Sequence, residues 1–301
     1  MNIVEKIKDL KRKRNAVILV HNYQLPEVHE VADYVGDSLG LSIKAAETEA
    51  DVIVFCGVYF MAETAKIISP EKIVLIPEKT AGCPMADMVT VEALKKKKKE
   101  HPNAKVVCYV NTTAEVKALC DISCTSGNAE RIAKEALKDV EEVIFVPDKC
   151  LGSYVAEKAG REFMLWPGFC PSHVKILPEH VEAQKKKYPN AEVLVHPECT
   201  PQVRDVADGV FSTDGMCKYS KKTKVKELII GTEIGMLYRL QKENPDKKFY
   251  PASEFAVCPN MKKTNLASVL TALEDMTYAV ELDKEIMDKA RLSINKMLEY
   301  K

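Results

Sequence analysis

Three stretches of the chain are apolar with almost no polar interruption: AVILV at 16–20, KVVCYV at 105–110 and EVLV at 192–195. Each is short and rich in β-branched residues, the pattern of a parallel strand covered on both faces. A charged helix is predicted before each strand and ends in a basic run, KDLKRKR, LKKKKKE or AQKKKYP. A helix is predicted after each one, in PEVHEVADYV (26–35), TAEVKALCDI (113–122) and TPQVRDVADG (200–209). A second apolar run then follows as DVIVFCG, EEVIFVPD or KELIIGT. Strands alternating with helices predict βαβ units and parallel sheets. The C-terminal stretch 264–301 carries SVLTALEDM and EIMDKARLSINKMLEY at helical spacing.

The three first strands align without gaps. Asn15, Asn103 and Asn190 each open an Asn-Ala pair, and six residues later stand His21, Tyr109 and His196. Two residues further are Tyr23, Asn111 and Glu198, then Asp33, Asp121 and Asp208, then Ser38, Ser126 and Thr213. The units are 88 and then 87 residues apart. A fixed period over so many positions argues for triplication. The expected fold is α/β: three homologous αβα units with small parallel sheets, in pseudo-threefold arrangement around a central active-site cavity. The units are placed at 1–86, 87–173 and 174–263, with helices in 264–301 packing back on the first.

At 301 residues the chain has room for two or three domains. Its zero net charge argues against a global pull toward nucleic acid or a membrane surface. The five consecutive lysines Lys95–Lys99 recur as a basic run at each of these helix ends, so they read as solvated residues complementing the helix dipole. The longest apolar run, Val52 to Ala62, is too short to span a bilayer, and no signal peptide opens the chain, so a cytoplasmic location is expected. His29, His101 and His180 fall outside the aligned positions and read as surface histidines. In GVYFMAETAK, Tyr59 and Phe60 are candidates to wall the cavity.

Ligands of parallel α/β sheets bind beyond the carboxyl ends of the strands. His21 with Tyr23, Tyr109 with Asn111, and His196 with Glu198 all fall at that edge. Ser38, Ser126 and Thr213 lie past the next helix, where hydroxyls and helix N-termini hold anions. Three units facing one another would line one shared site. Of ten cysteines, only Cys83, Cys170 and Cys258 keep the period, 87 and 88 residues apart. Each precedes a proline. No CxxC pair occurs, and Cys56 and Cys108 read as small buried hydrophobes. Asp214 and Cys217 acquire no chemical role, and Cys217 reads as a spare thiol. Three converging thiolates suit zinc, with His173 as a fourth ligand in Cys-x-x-His spacing. They equally suit a 4Fe–4S cluster with one open iron.

Five long stretches, HNYQLPEVHEVADYVGDSLGLS, FMAETAKIISPEKIVLIPEKTAGCPMAD, YVNTTAEVKALCDISCTSGNA, LVHPEC and CPNMKK, resemble the quinolinate synthase family over essentially the whole chain. The resemblance implies three α/β domains around a central cavity and a 4Fe–4S cluster on Cys83, Cys170 and Cys258. It implies a transferase-type condensation of iminoaspartate with dihydroxyacetone phosphate, losing phosphate and water, to give quinolinate for NAD biosynthesis. The open iron would act as a Lewis acid, with no net redox change. Iminoaspartate handed over by the enzyme that makes it is a further expectation. Substrate binding is expected from His21, Ser38, Tyr109, Asn111, Ser126, His173, His196, Glu198 and Thr213, and proton transfer from Tyr23, His196 and Glu198. Glu198, an acceptor among donors, is read as an acid/base or as the orienter of His196.

Two rival readings turn on the metal. A binding protein for sugar phosphates or dicarboxylates would close its metal site with His173, and a zinc-dependent aldolase would work in air. Nucleic-acid binding is disfavoured because no aromatics interleave the lysine runs.

Overall fold

The computed structural model describes residues 2–300. The first apolar run forms β1 (Ala16–His21), followed by β2 (Tyr34–Gly36), β3 (Val52–Cys56) and β4 (Ile73–Leu75), in the order β2-β1-β3-β4. The second unit has β5 (Lys105–Tyr109), β6 (Ile122–Cys124), β7 (Val143–Val146) and β8 (Met164–Leu165), ordered β6-β5-β7-β8. The third has β9 (Glu192–Val195), β10 (Gly209–Val210), β11 (Glu227–Gly231) and β12 (Lys248–Pro251), ordered β10-β9-β11-β12. Every pairing is parallel, and the three sheets share one topology.

The first strand of each unit is central in its sheet and buried on both faces. Ile18, Leu19 and Val20, then Val106 and Val107, then Val193, Leu194 and Val195 are all sealed from solvent. Burying each such side chain stabilises the fold by roughly 1.5–3 kcal/mol. One large apolar cluster joins residues of all three sheets, including Leu19, Val107 and Leu194.

The region after each first strand differs from expectation. Each predicted helix is one short turn, at Pro26–His29, Ala114–Lys117 and Pro201–Asp205, and the chain then returns as β2, β6 or β10. The aspartates of the repeat are the reason. Asp33, Asp121 and Asp208 accept a hydrogen bond from the backbone N–H of Ile18, Val106 and Val193 at 2.8, 2.9 and 2.8 Å. Their own N–H groups donate to the carbonyls of the same three residues. Each aspartate thus fastens the chain to the first strand and opens a parallel ladder where a longer helix would have run past.

The basic runs cap the helices Ile3–Lys13, Val91–Glu100 and Pro178–Lys187 at their C-terminal turns. No helix among the described residues is long and apolar enough to cross a membrane. The C-terminal stretch divides. Helix Leu266–Asp275 lies on the N-terminal helix and β3, tied by Arg14 to the carbonyls of Leu273 and Glu274. Helix Lys284–Leu298 spans the first and second units, where Arg291 donates to the Ile67 carbonyl and Ser293 to the Lys117 carbonyl.

Candidate active site at the junction of the three sheets

The carboxyl ends of β1, β5 and β9 converge on one central cavity of about 180 Å³. Its wall includes all the residues singled out from the strand ends and the repeat: His21, Tyr23, Ser38, Tyr109, Asn111, Ser126, His196, Glu198 and Thr213. Cys83, Cys170 and Cys258 line it as well, one from each unit, together with His173. Phe60 and Met61 contribute apolar wall, whereas Tyr59 stays outside.

The hydroxyls owe their place to helix starts. Asp37 and Ser212 cap the helices Ser38–Glu47 and Thr213–Lys222 through hydrogen bonds from Gly40 and Gly215 at 2.8 and 3.1 Å. The residue after each cap, Ser38 or Thr213, then faces the cavity at a positive helix end. Thr125 holds the equivalent place in the second unit, accepting from Gly127 ahead of the helix Ala129–Glu135.

Two histidines share one local device. The ring Nδ1 of His21 accepts the Tyr23 backbone N–H at 3.2 Å, and that of His196 accepts the Glu198 N–H at 3.3 Å. An occupied Nδ1 leaves the proton on Nε2, so both rings are donors there. Burial, with smaller contributions from neighbouring groups, pushes both imidazoles down to about 3. They are neutral donors at pH 7. The Asn111 Oδ1 is buried without a partner.

A chain of hydrogen bonds crosses all three units. The Tyr23 hydroxyl lies 2.6 Å from Thr232 Oγ1, which is 2.8 Å from His173 Nε2. The other ring nitrogen of His173 is 2.7 Å from Glu198 Oε2, and Tyr109 donates to Glu198 Oε1 at 2.6 Å. Both nitrogens of His173 are therefore engaged by protein. Burial works to raise the Glu198 pKa, but His173, His196 and the Tyr109 hydrogen bond outweigh it and hold the carboxyl below its ordinary range. Both tyrosines are pushed well above their ordinary pKa, by burial first and then by the Glu198 charge. A hydroxyl, an imidazole and a carboxylate in sequence form the arrangement that moves a proton to or from a hydroxyl.

Thr232 escaped the sequence reading. Strand register shows why: Leu19 pairs with Phe55, Val107 with Phe145, and Leu194 with Ile230, so Thr232 corresponds to Gly57 and Pro147. No hydroxyl repeats there to draw attention. Glu198, read as an acid/base or as the orienter of His196, directs its carboxylate mainly to His173 and Tyr109, at 2.7 and 2.6 Å, with His196 Nδ1 at 4.0 Å, while its backbone N–H fixes the His196 ring.

The donor set fits a metal group. Three thiols from three units face one cavity, and all ten cysteines are free. Burial pushes the Cys83 thiol up to about 12 and raises those of Cys170 and Cys258. Such thiols ionise only beside a strong positive charge, which a metal centre supplies. Cys170, His173 and Glu198 also bring ligand atoms within 4.8 Å of one another. Cys217, read as a spare thiol, is a buried core residue, and His29 is buried rather than on the surface.

The fold and the cavity define a triplicated α/β protein with one polar, cysteine-bearing site shared by its three sheets. The family described as Quinolinate synthetase A protein matches residues 5–299. The chain is 56% identical over 296 residues to the quinolinate synthase of Dehalococcoides mccartyi, covering 98% of this chain and 97% of that protein. To the quinolinate synthases of Thermodesulfovibrio yellowstonii and Methanosarcina barkeri it is 52% and 50% identical, covering 98% and 99% of this chain and 97% and 98% of theirs. The chain belongs to the quinolinate synthetase A family.

Proposed function

We propose that the central cavity condenses iminoaspartate with dihydroxyacetone phosphate to quinolinate, releasing phosphate and water, as a step toward NAD. The observation that carries this reading is the donor-rich, threefold cavity with a hydroxyl–imidazole–carboxylate chain on its wall. Both substrates are anions. The Nε2–H of His21 and the hydroxyls of Ser38, Thr213 and Ser126, the last accepting from His196 Nε2 at 3.1 Å, supply neutral donors for carboxylates and phosphate, with Ser38 and Thr213 at helix N-termini. Cys83, Cys170 and Cys258 would hold a 4Fe–4S group, which supplies a Lewis acid through its open iron.

The protein's own residues handle the protons. Tyr23 takes a proton from a substrate atom while its own passes through Thr232 to His173 Nε2, and the ionised Glu198 stabilises the resulting imidazolium at Nδ1. The same proton returning along the chain lets Tyr23 act as the acid in a later step. Tyr109 donates to the same carboxylate and stabilises its ionised form. Asn111 presents its unpartnered Oδ1 to an N–H or O–H of the substrate. Apolar Phe60 and Met61 exclude water from one side, which strengthens each of these contacts.

A second reading is zinc held by Cys170, His173 and Glu198, favoured by the close approach of their ligand atoms. Protein purified without oxygen separates the two. Brown protein with about four irons and four sulfides per chain, forming quinolinate from the two substrates, is expected. Colourless protein holding zinc, with no cluster after anaerobic reconstitution and no quinolinate, would overturn the proposal.

A further inference from the structure

Eight residues beyond His21, Tyr109 and His196 stand His29, Lys117 and Arg204. All three are basic, each lies on the short helix after its first strand, and all are buried, Lys117 completely. Charged side chains are rarely placed so deep without a carboxylate. Yet the hydrogen bonds of Lys117 and Arg204 go to protein carbonyls and a hydroxyl, and neither has a carboxylate at salt-bridge distance among the described residues.

Those carbonyls belong to the strand-end loops. Lys117 Nζ donates to the carbonyl of Thr112, the residue after Asn111. Arg204 Nη1 donates to the carbonyls of Cys199, Pro197 and Cys150 at 3.0, 3.3 and 2.9 Å, so it grips both sides of Glu198. Thr112 and Cys199 are equivalent positions of the repeat, 87 residues apart. The same contact therefore occurs twice with two different cations.

The first unit solves the problem from outside. His29 Nε2 is buried without a hydrogen-bond partner. The carbonyl of Tyr23 is instead held by Lys262 of the third unit, whose ammonium also pairs with the buried carboxylate of Glu233 at 3.0 Å. Glu233 in turn accepts from the backbone N–H of Cys258 at 3.1 Å. A Cβ on Gly235 would lie 2.6 Å from the Lys262 ammonium and 2.8 Å from the Tyr23 carbonyl, so only glycine admits this junction.

We propose that Lys117, Arg204 and Lys262 are positioning residues. Each clamps from behind the carbonyls of the loop that carries one unit's site side chains: Asn111, Glu198 and Tyr23 respectively. A fixed cation accomplishes this because a carbonyl at a strand end has no ladder partner of its own, and a charged donor makes a stronger bond than a neutral one. The turnover arm of the test rests on the quinolinate reading above, and the exchange arm is independent of it.

Two measurements test the clamps. The first is amide hydrogen exchange on Lys262→Met, Lys117→Met and Arg204→Met. Faster exchange is expected at 22–25, at 110–113 and at 198–200 respectively, with the other two loops unchanged. Unchanged exchange at a variant's own loop, or acceleration spread evenly over the chain, would overturn the proposal. The second is a double-mutant cycle of Lys262→Met with Tyr23→Phe. Loss of a supporting shell around a site typically costs ~10–100-fold, so quinolinate turnover should fall by that factor in the parent and by less than about threefold when Tyr23 is already Phe. An equal loss in both backgrounds marks Lys262 as merely structural and also overturns the proposal. Lys262 is partly exposed, so this variant decides the matter if Lys117→Met or Arg204→Met fails to fold, and Lys117→Arg should restore exchange protection at 110–113. If the parent forms no quinolinate, the functional reading fails while the exchange result still decides the clamps.

Discussion

Replacing Thr232 by Val keeps the shape of the side chain and deletes one hydroxyl. Two contacts vanish, at 2.6 Å to Tyr23 and 2.8 Å to His173. An orphaned buried polar group costs ~1–3 kcal/mol. Because Tyr23 and His173 border the cavity, water can reach the vacated positions, and the stability loss should stay near the lower end, about 2 kcal/mol in total. The kinetic loss should be larger. The route between the Tyr23 phenol and the His173 ring is cut, and a positioned acid/base contributes ~10²–10⁴-fold, or about 3–5 kcal/mol of barrier. The two effects separate experimentally, because a loss of about 2 kcal/mol leaves most of a typical fold's stability intact. The assay is quinolinate formation without oxygen, run beside a thermal melt and an iron analysis. Thr232→Val should keep its iron, melt slightly earlier and lose at least ~100-fold in kcat, while Thr232→Ser stays near the parent. A Val variant with full iron and kcat within about threefold of the parent would refute the relay, since that is well short of the smallest loss expected for an acid/base step.

Other consequences can be checked as directly. Replacement of Cys83, Cys170 or Cys258 by Ala should abolish iron binding and turnover, whereas Cys217→Ala should keep both and cost about 1 kcal/mol of stability for a vacated core position; full iron in Cys170→Ala would remove it from the donor set. Glu63 is buried against the Ala114 N–H, and burial raises its pKa from 4.5 to about 7. The unfolded chain binds fewer protons there between those values, so this group's contribution to stability falls as pH rises from 4.5 to 7. Glu63→Gln should therefore be nearly neutral at pH 4.5 and stabilising by roughly 3 kcal/mol at pH 8 in urea titrations; equal effects at both pH values would contradict it. Asp208→Ala removes the carboxylate that accepts the Val193 N–H and should cost ~1–3 kcal/mol, read as a lower urea midpoint with unchanged iron content.

Much of the site is legible in the sequence, because triplication writes the same local chemistry three times. His21, Tyr109 and His196 end equivalent strands, and a strand end in a parallel sheet faces the ligand edge whatever the rest of the fold does. The cysteines were legible for the same reason, since Cys83, Cys170 and Cys258 keep the period while their neighbours drift. The short strands β2, β6 and β10 were not. Two or three residues hold too little pattern to signal a strand, and these exist because Asp33, Asp121 and Asp208 bond across to a strand fifteen residues away.

The sequence by itself therefore determined the repeated αβα architecture, the strand-end residues and the cysteine set, all of which depend on local periodicity and on position along one strand. Only the tertiary structure decided which side chains meet across units. Thr232 joins Tyr23 to His173 because three sheets pack at one junction, and no spacing along the chain encodes a contact among three separate repeats. The basic residues show the same division. His29, Lys117 and Arg204 share a position and a basic character but are three different residue types, so nothing in the sequence marks them as a set. Burial forces two of them to find carbonyls and leaves the third idle, because Lys262, more than two hundred residues further along the chain, already holds the loop it would have held.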